Sequence, residues 1–350
     1  MIDSIEKFFQ IEINHPSAAL RNILLRLSIT LFVGAAVARP LTAHAQQTER
    51  MRRIGVLMSY PENDPQGQLR ATAFRRELEK FGWTIGGNLQ INYHWGTGDA
   101  DWLRSATVQV LREAPDVMLA NGDPAAKAAQ EATRTVPIIF IAGDPTGEGL
   151  VQSLAHPGGN LTGLSVMEPS LGIKLLAILK QVAPSVARVA ILANTDSISH
   201  KRISELVVAA APRMAVEVAV VPVGEPAEIE AAMTQWGRES DYGLIVLPDP
   251  KTNSHRKLIV ELAARYGLPA IYALRAATDD GGLMSYGVDL PEMFRQAAIY
   301  ADRILKGEKP ANLPVQLPTK FELVINLKAA KGMGLEIPSA LLLTADEVIE

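Results

Sequence analysis

The sequence predicts an α/β protein of two doubly wound, parallel-sheet lobes joined by a hinge of several chain crossings. Three observations carry that prediction. Short β-branched runs alternate with longer stretches of helical periodicity, the rhythm occurs twice along the chain, and 350 residues, 48% of them hydrophobic, suffice for two separate cores. Parallel strands need crossover connections, so βαβα alternation gives a sheet covered by helices on both faces.

The first group of strands is read at Ile54–Met58, Leu89–Tyr93, Asp116–Ala120 and Pro137–Ile141, with Asn160–Leu164 closing it. Between them Leu69, Ala73, Phe74, Leu78 and Phe81 recur at helical spacing, as do Leu103, Thr107, Val110 and Leu111. The second group has strands at Arg188–Ala193, Val216–Pro222, Gly243–Leu247 and Pro269–Ala273, then an extended run at Leu283–Tyr286. Its helices show as stripes at Leu171, Leu175, Ile178, Leu179 and Val182, at Ile203, Leu206 and Val207, and at Leu258 and Leu262. Pro291 opens a further helix with Phe294, Ala297, Ala298, Ala301, Ile304 and Leu305 on one face, which Lys306–Gly307 ends. A proline-punctuated stretch from Pro310 to Pro318 follows, then a strand at Phe321–Ile325 and a last helix near Asn326–Met333.

This order predicts one lobe from residues 52–164 plus 287–314 and another from 165–286 plus 315–342. The 291–306 helix should pack back onto the first lobe and the 319–340 tail onto the second. The hinge is expected near Leu161–Met167, Ser285–Asp289 and Leu313–Thr319, where Gly163, Gly287, Pro314 and Pro318 suit chain turns of restricted or unusual geometry.

Residues 1–45 read as a secretory signal. An apolar run of about twelve, Leu27–Ala38, follows Arg21 and Arg26 and precedes the small-x-small triplet Ala43-His44-Ala45, and it is too short for an easy membrane span. An N-terminal anchoring helix is the other reading of this stretch. The chain has no cysteine, which removes disulfides, thiolate metal sites, cysteine nucleophiles and the lipid-bearing cysteine of a lipoprotein. Its net charge of -4, without bunched acidic residues or a basic patch, gives nucleic acid and anionic lipid no surface to bind. None of the six histidines forms an HxxH or HExxH pattern, and no nucleotide-binding glycine motif or GxSxG elbow is present. Neither a cofactor nor a metal is therefore expected.

Ligands of open α/β sheets bind beyond the carboxyl ends of the strands, so the residues that follow each strand are the candidate site. These are Ser59 and Tyr60, Asn121, Gly122 and Asp123, and Asp144 in the first group, and Asn194, Asp196, Asp249, Tyr272 and Arg275 in the second. Amides and hydroxyls suit a carboxylate, aspartate suits an ammonium, and tyrosine covers apolar surface, a set that fits an amino-acid-like zwitterion. Asp123, Asp144 and Asp196 equally suit helix caps or turns.

Three stretches, IIFIAGDPTGEGLVQSLAHPGGNLTGLS (138–165), GGLMSYGVDLPEMFRQAAIYADRILKGEKPANLPVQLPTKFELVINLKAAKGMGLEIP (281–338) and NGDPAAKAAQEATRTVPI (121–138), resemble the ABC transporter substrate-binding proteins that include tryptophan- and tyrosine-binding members. The resemblance implies a type I periplasmic-binding fold whose lobes close on a small-molecule solute, and a permease in the cytoplasmic membrane as partner. A sensory module for a membrane receptor or an exported α/β enzyme would use the same scaffold. The signal predicts a mature, periplasmic protein beginning at Gln46. N-terminal sequencing of the secreted protein checks this, and intact chain retained in the cytoplasm would refute it.

Overall fold

The computed structural model describes residues 50–350 apart from 97, 98, 169 and 240. The expected signal at 1–45 lies outside the described residues. In chain order the first group of elements is β1 (Arg52–Met58), α1 (Pro65–Lys80), β2 (Leu89–Trp95), α2 (Ala100–Arg112), β3 (Val117–Asn121), α3 (Asp123–Ala132), β4 (Ile138–Ala142) and β5 (Leu161–Ser165). They form a parallel sheet of order β2-β1-β3-β4-β5. Asp64 starts α1 by accepting the Gln66 and Gly67 N–H groups, with Pro65 at a position that has no helical partner to lose.

The second group runs α4 (Leu171–Val182), β6 (Arg188–Ala193), α5 (Ile198–Ala210), β7 (Glu217–Pro222), α6 (Pro226–Trp236), β8 (Tyr242–Val246), α7 (Pro250–Ser254), α8 (Arg256–Arg265), β9 (Ala270–Tyr272), α9 (Arg275–Asp279) and β10 (Met284–Val288). After it come α10 (Leu290–Leu305), β11 (Phe321–Asn326), α11 (Leu327–Gly332), α12 (Ser339–Leu342) and β12 (Glu347–Ile349). The second sheet has the order β12-β11-β10-β9-β8-β6-β7, parallel except where β11 runs against β10. Each strand read from the sequence is present with ends within about two residues, while α3, α6, α7, α9, α12 and β12 were not read as elements.

Both sheets are buried on both faces, as parallel sheets must be. On the first, α1 and α10 set Phe74, Leu78, Phe294 and Ala301 against Val56, Leu119 and Ile139. Its other face carries Leu103 and Val110 of α2 and Ala125 and Ala129 of α3. On the second, α4 and α5 pack Leu175, Leu179 and Ile203 on Ile191 and Ile245, and α6 and α8 pack Met233, Trp236, Ile259 and Leu262 on Leu192 and Leu244. The helix beginning at Leu290 therefore returns to the first lobe and the β11 tail joins the second. Its start is fixed by Asp289, which accepts the Glu292 N–H.

Among the described residues the chain crosses between the sheets three times: between β5 and α4, between β10 and α10, and between Gln316, which still bridges Leu164 of β5, and β11. Gly163 and Gly287 lie beside these crossings but are not turn residues, and neither has a positive φ. A Cβ on Gly163 would sit 2.1 Å from the Phe140 carbonyl oxygen, and one on Gly287 would sit 2.0 Å from that of Ala273. Both glycines let neighbouring strands approach. Backbone cannot yield as a side-chain tip can, so Gly163→Ala and Gly287→Ala should each destabilise the protein by about 2 kcal/mol or more in urea denaturation. Unchanged midpoints would contradict this account.

Candidate functional site

In each sheet the strand order reverses between two neighbours, β1 and β3 in one lobe and β6 and β8 in the other. Connections leave such a pair in opposite directions, and a crevice opens beyond the strand ends. The two crevices share one cavity of about 260 Å³. Of the residues proposed from sequence, Tyr60, Asn121, Gly122, Asp123, Asn194, Asp196 and Asp249 line it. Ser59, Asp144, Tyr272 and Arg275 do not.

The four exceptions have physical reasons. The Ser59 hydroxyl donates to the Asn121 carbonyl at 3.1 Å and ties the ends of β1 and β3 together beneath the cavity wall. Asp144 accepts from the Thr146 hydroxyl and the Gly147 N–H of its own turn, and its second oxygen meets Arg202 of the other lobe at 3.1 Å. Tyr272 ends β9, where alternation sends its side chain to the face covered by α8 while Ile271 and Ala273 face α4. Burial there raises the affinity of its phenol for the proton. Arg275 turns away to Asp279 (3.3 Å), Glu322 (3.0 Å) and Glu347 (2.6 Å), the last belonging to the unforeseen β12.

Within the second lobe the cavity wall is a closed polar network. His200 Nδ1 accepts the Asn194 N–H at 2.9 Å, which leaves Nε2 to donate to the Pro248 carbonyl at 3.2 Å. Burial outweighs the nearby Asp249 carboxylate and the Pro248 carbonyl and lowers the histidine's pKa, so the ring is a neutral clasp between the ends of β6 and β8. Asn194 accepts the Asp196 N–H and donates to Asp249 at 3.0 Å, while Asp249 also caps α7 through the Lys251 N–H. Asp249 is thus a helix cap that the sequence reading did not offer. The reading as caps or turns holds for Asp144 and Asp196 as turn residues, Ser197 being the cap of α5, and not for Asp123, which lies inside the first turn of α3 and accepts the Gly143 N–H at 2.7 Å.

Of the lining residues that the sequence reading passed over, Lys127 and Glu148 among them, His200 and Arg70 are the two most buried polar ones. His200 was considered only as a metal ligand. Arg70 was missed because Leu69 was placed on the inward stripe of α1, whereas Leu69 is 50% exposed and Arg70 only 2%. Arg70, Phe74 and Leu78 recur every four residues, and that spacing marked a cation on a buried face. The Arg70 guanidinium lies 4.4 Å from the Tyr60 ring centroid, its Nε has no hydrogen-bond partner, and no carboxylate among the described residues pairs with it. Burying an ion costs several kcal/mol, and a desolvated ring face returns about 2 kcal/mol. The arginine is therefore under-satisfied by the protein itself.

Asp123 is the opposite case. Burial, with Glu148, Asp249 and Asp144 nearby, pushes its pKa up to about 7 despite the hydrogen bond from Gly143. Half the acid is protonated near neutrality.

Two α/β lobes that turn their switch points onto one cavity, with chain crossings beside it, define a hinged solute-binding protein. The chain belongs to the ABC transporter substrate binding protein family, whose sequence model matches residues 64–349. It is the solute-binding component of such a transporter rather than an enzyme. A tyrosine-binding protein of Clostridioides difficile (strain R20291) is 26% identical over 297 residues, 84% of each chain. The structure of an ABC domain in complex with L-Trp from Streptococcus pneumonia is 26% identical, with TM-score 0.79 over 85% of this chain and 100% of that one. A ligand-free, open structure of a substrate binding protein with adhesive properties from Clostridium difficile is 25% identical, with TM-score 0.64 over 85% of this chain and 99% of that one.

The raised pKa of Asp123 makes a signed prediction about stability. The folded state holds this proton up to about pH 7 and the unfolded chain releases it near pH 4, so the group's contribution is fully present below pH 4 and is lost as pH rises through 7. Asp123→Asn keeps an acceptor for Gly143 and cannot ionise. Its stability relative to wild type should improve from pH 4 to pH 8 by about 4 kcal/mol in chemical denaturation. A pH-independent difference would show that Asp123 titrates normally.

Proposed function

We propose that this chain captures a small, amino-acid-like solute in the interlobe cavity and delivers it, outside the cytoplasmic membrane, to an ABC permease. The observation that carries the reading is the cavity's composition. Arg70 and Lys127 line it together with Asp123, Glu148, Asp196 and Asp249, and Ile141, Met167 and Leu171 add apolar surface. A zwitterion with an apolar side chain matches that distribution of charge. The names of the relatives, one a tyrosine-binding protein and one seen with L-Trp, support the same class. Among the described residues no helix is long and apolar enough to cross a membrane.

The lobes touch at the rim of the cavity. The Asp144 N–H donates to the Ser199 hydroxyl at 2.8 Å, the Ile198 N–H donates to Glu148 at 3.1 Å, and Arg256 reaches Asp64 at 3.3 Å. The Arg202–Asp144 pair is exposed on the arginine side, and ties of that kind contribute only about 0–1 kcal/mol. Such contacts define a closed form without locking it, so a solute that binds both lobes shifts the population. The better fit to the L-Trp complex than to the open, ligand-free relative, at almost equal identity, supports a closed arrangement.

Titration of the mature protein with the twenty amino acids tests this reading. A true ligand at 100 times its Kd should stabilise the protein by about 2.7 kcal/mol and reduce its radius of gyration in X-ray scattering. The absence of any amino-acid ligand, or saturation without compaction, would overturn it.

A further inference from the structure

We propose that Arg70, held by Tyr60, is the anchor for the ligand's carboxylate, which makes a free α-carboxylate the obligatory feature of any solute this protein transports. The inference rests on the amino-acid reading above and adds to it the residue that would enforce it. Arg70 lines the cavity, is almost wholly buried and keeps an Nε with no protein partner.

Comparison with another arginine of this chain makes the point. Arg256, similarly shielded, is held between Asp64 and Asp280, at 3.3 and 2.7 Å. That is how the fold satisfies an arginine with a structural task. Arg70 has a ring face instead. The Tyr60 ring meets the charge of the guanidinium at 4.4 Å without using an N–H donor, and Nε stays unpaired, so donor capacity remains for a carboxylate. Lys127 also lines the cavity, but it is exposed and reaches Gln130, so water competes for it. Asp249 and Asn194 are occupied with each other and with the backbone, while Asp123 has one hydrogen bond, from Gly143. The ligand's ammonium is accordingly assigned to Asp123 and its carboxylate to Arg70. Decarboxylated amines and esters lack the group that the buried guanidinium needs.

Calorimetry on the folded wild-type protein decides this without any variant. The tightest binder among the twenty amino acids is compared with its methyl ester and its decarboxylated amine, both of which should bind about 100-fold or more weakly. Arg70→Gln should lose about the same factor, and Arg70→Lys, which keeps the charge but not the fork, should recover part of it. An ester that binds as tightly as the acid overturns the assignment of Arg70 and leaves the amino-acid reading standing. So does a folded Arg70→Gln protein within about threefold of wild type. If none of the twenty binds, both fall together.

Discussion

A parallel strand can be followed by its neighbour only through a crossover that carries the chain back to the starting end of the sheet. Every strand of a parallel sheet therefore releases its loop at the same edge, and where the winding changes direction two adjacent loops part. This protein meets that constraint twice, once between β1 and β3 and once between β6 and β8. The cavity is what results when the two edges face each other. Its residues are far apart in sequence, from Tyr60 to Leu290, yet most of them lie where strands end or where the chain passes from one sheet to the other, with Arg70 and Lys127 reaching in from helices.

Most polar groups at these edges are committed to holding the edge in shape. Ser59 fixes the end of β3, His200 clasps the ends of β6 and β8, and Asn194 and Asp249 satisfy each other. Such groups give the walls a fixed outline, because each buried donor and acceptor has a partner and no alternative. Against that background Arg70 and Asp123 stand out, one a cation without a counterion and the other an acid reluctant to ionise. A site recognises charge through the groups its own fold leaves incomplete.

The sequence exposed the strands well because buried parallel strands are continuous apolar runs, and Ile138–Ala142 or Arg188–Ala193 admit few other readings. Rules about strand ends located the right loops. They did not say which way a side chain points, and so Tyr272, one residue out of phase with Ile271 and Ala273, went to the wrong face. Arg275 was misjudged for want of β12, a three-residue strand too short for any periodicity. Arg70 was legible in principle, at the spacing of Phe74 and Leu78, but a charged residue beside a leucine invites the leucine to be taken as the buried one. Asp144 was placed in the correct loop, but its own turn and Arg202 of the other lobe together take up its carboxylate.

The threefold passage of the chain between the sheets has a consequence in time. One face of the first sheet is covered by α1 together with α10, and α10 is formed by residues near the end of the chain. The second sheet likewise waits for β11 and β12. A ribosome must therefore have read most of the message before either lobe can complete its core, whereas lobes built from contiguous segments could form one after the other. Until then the nascent polypeptide can bury apolar surface but can complete neither core.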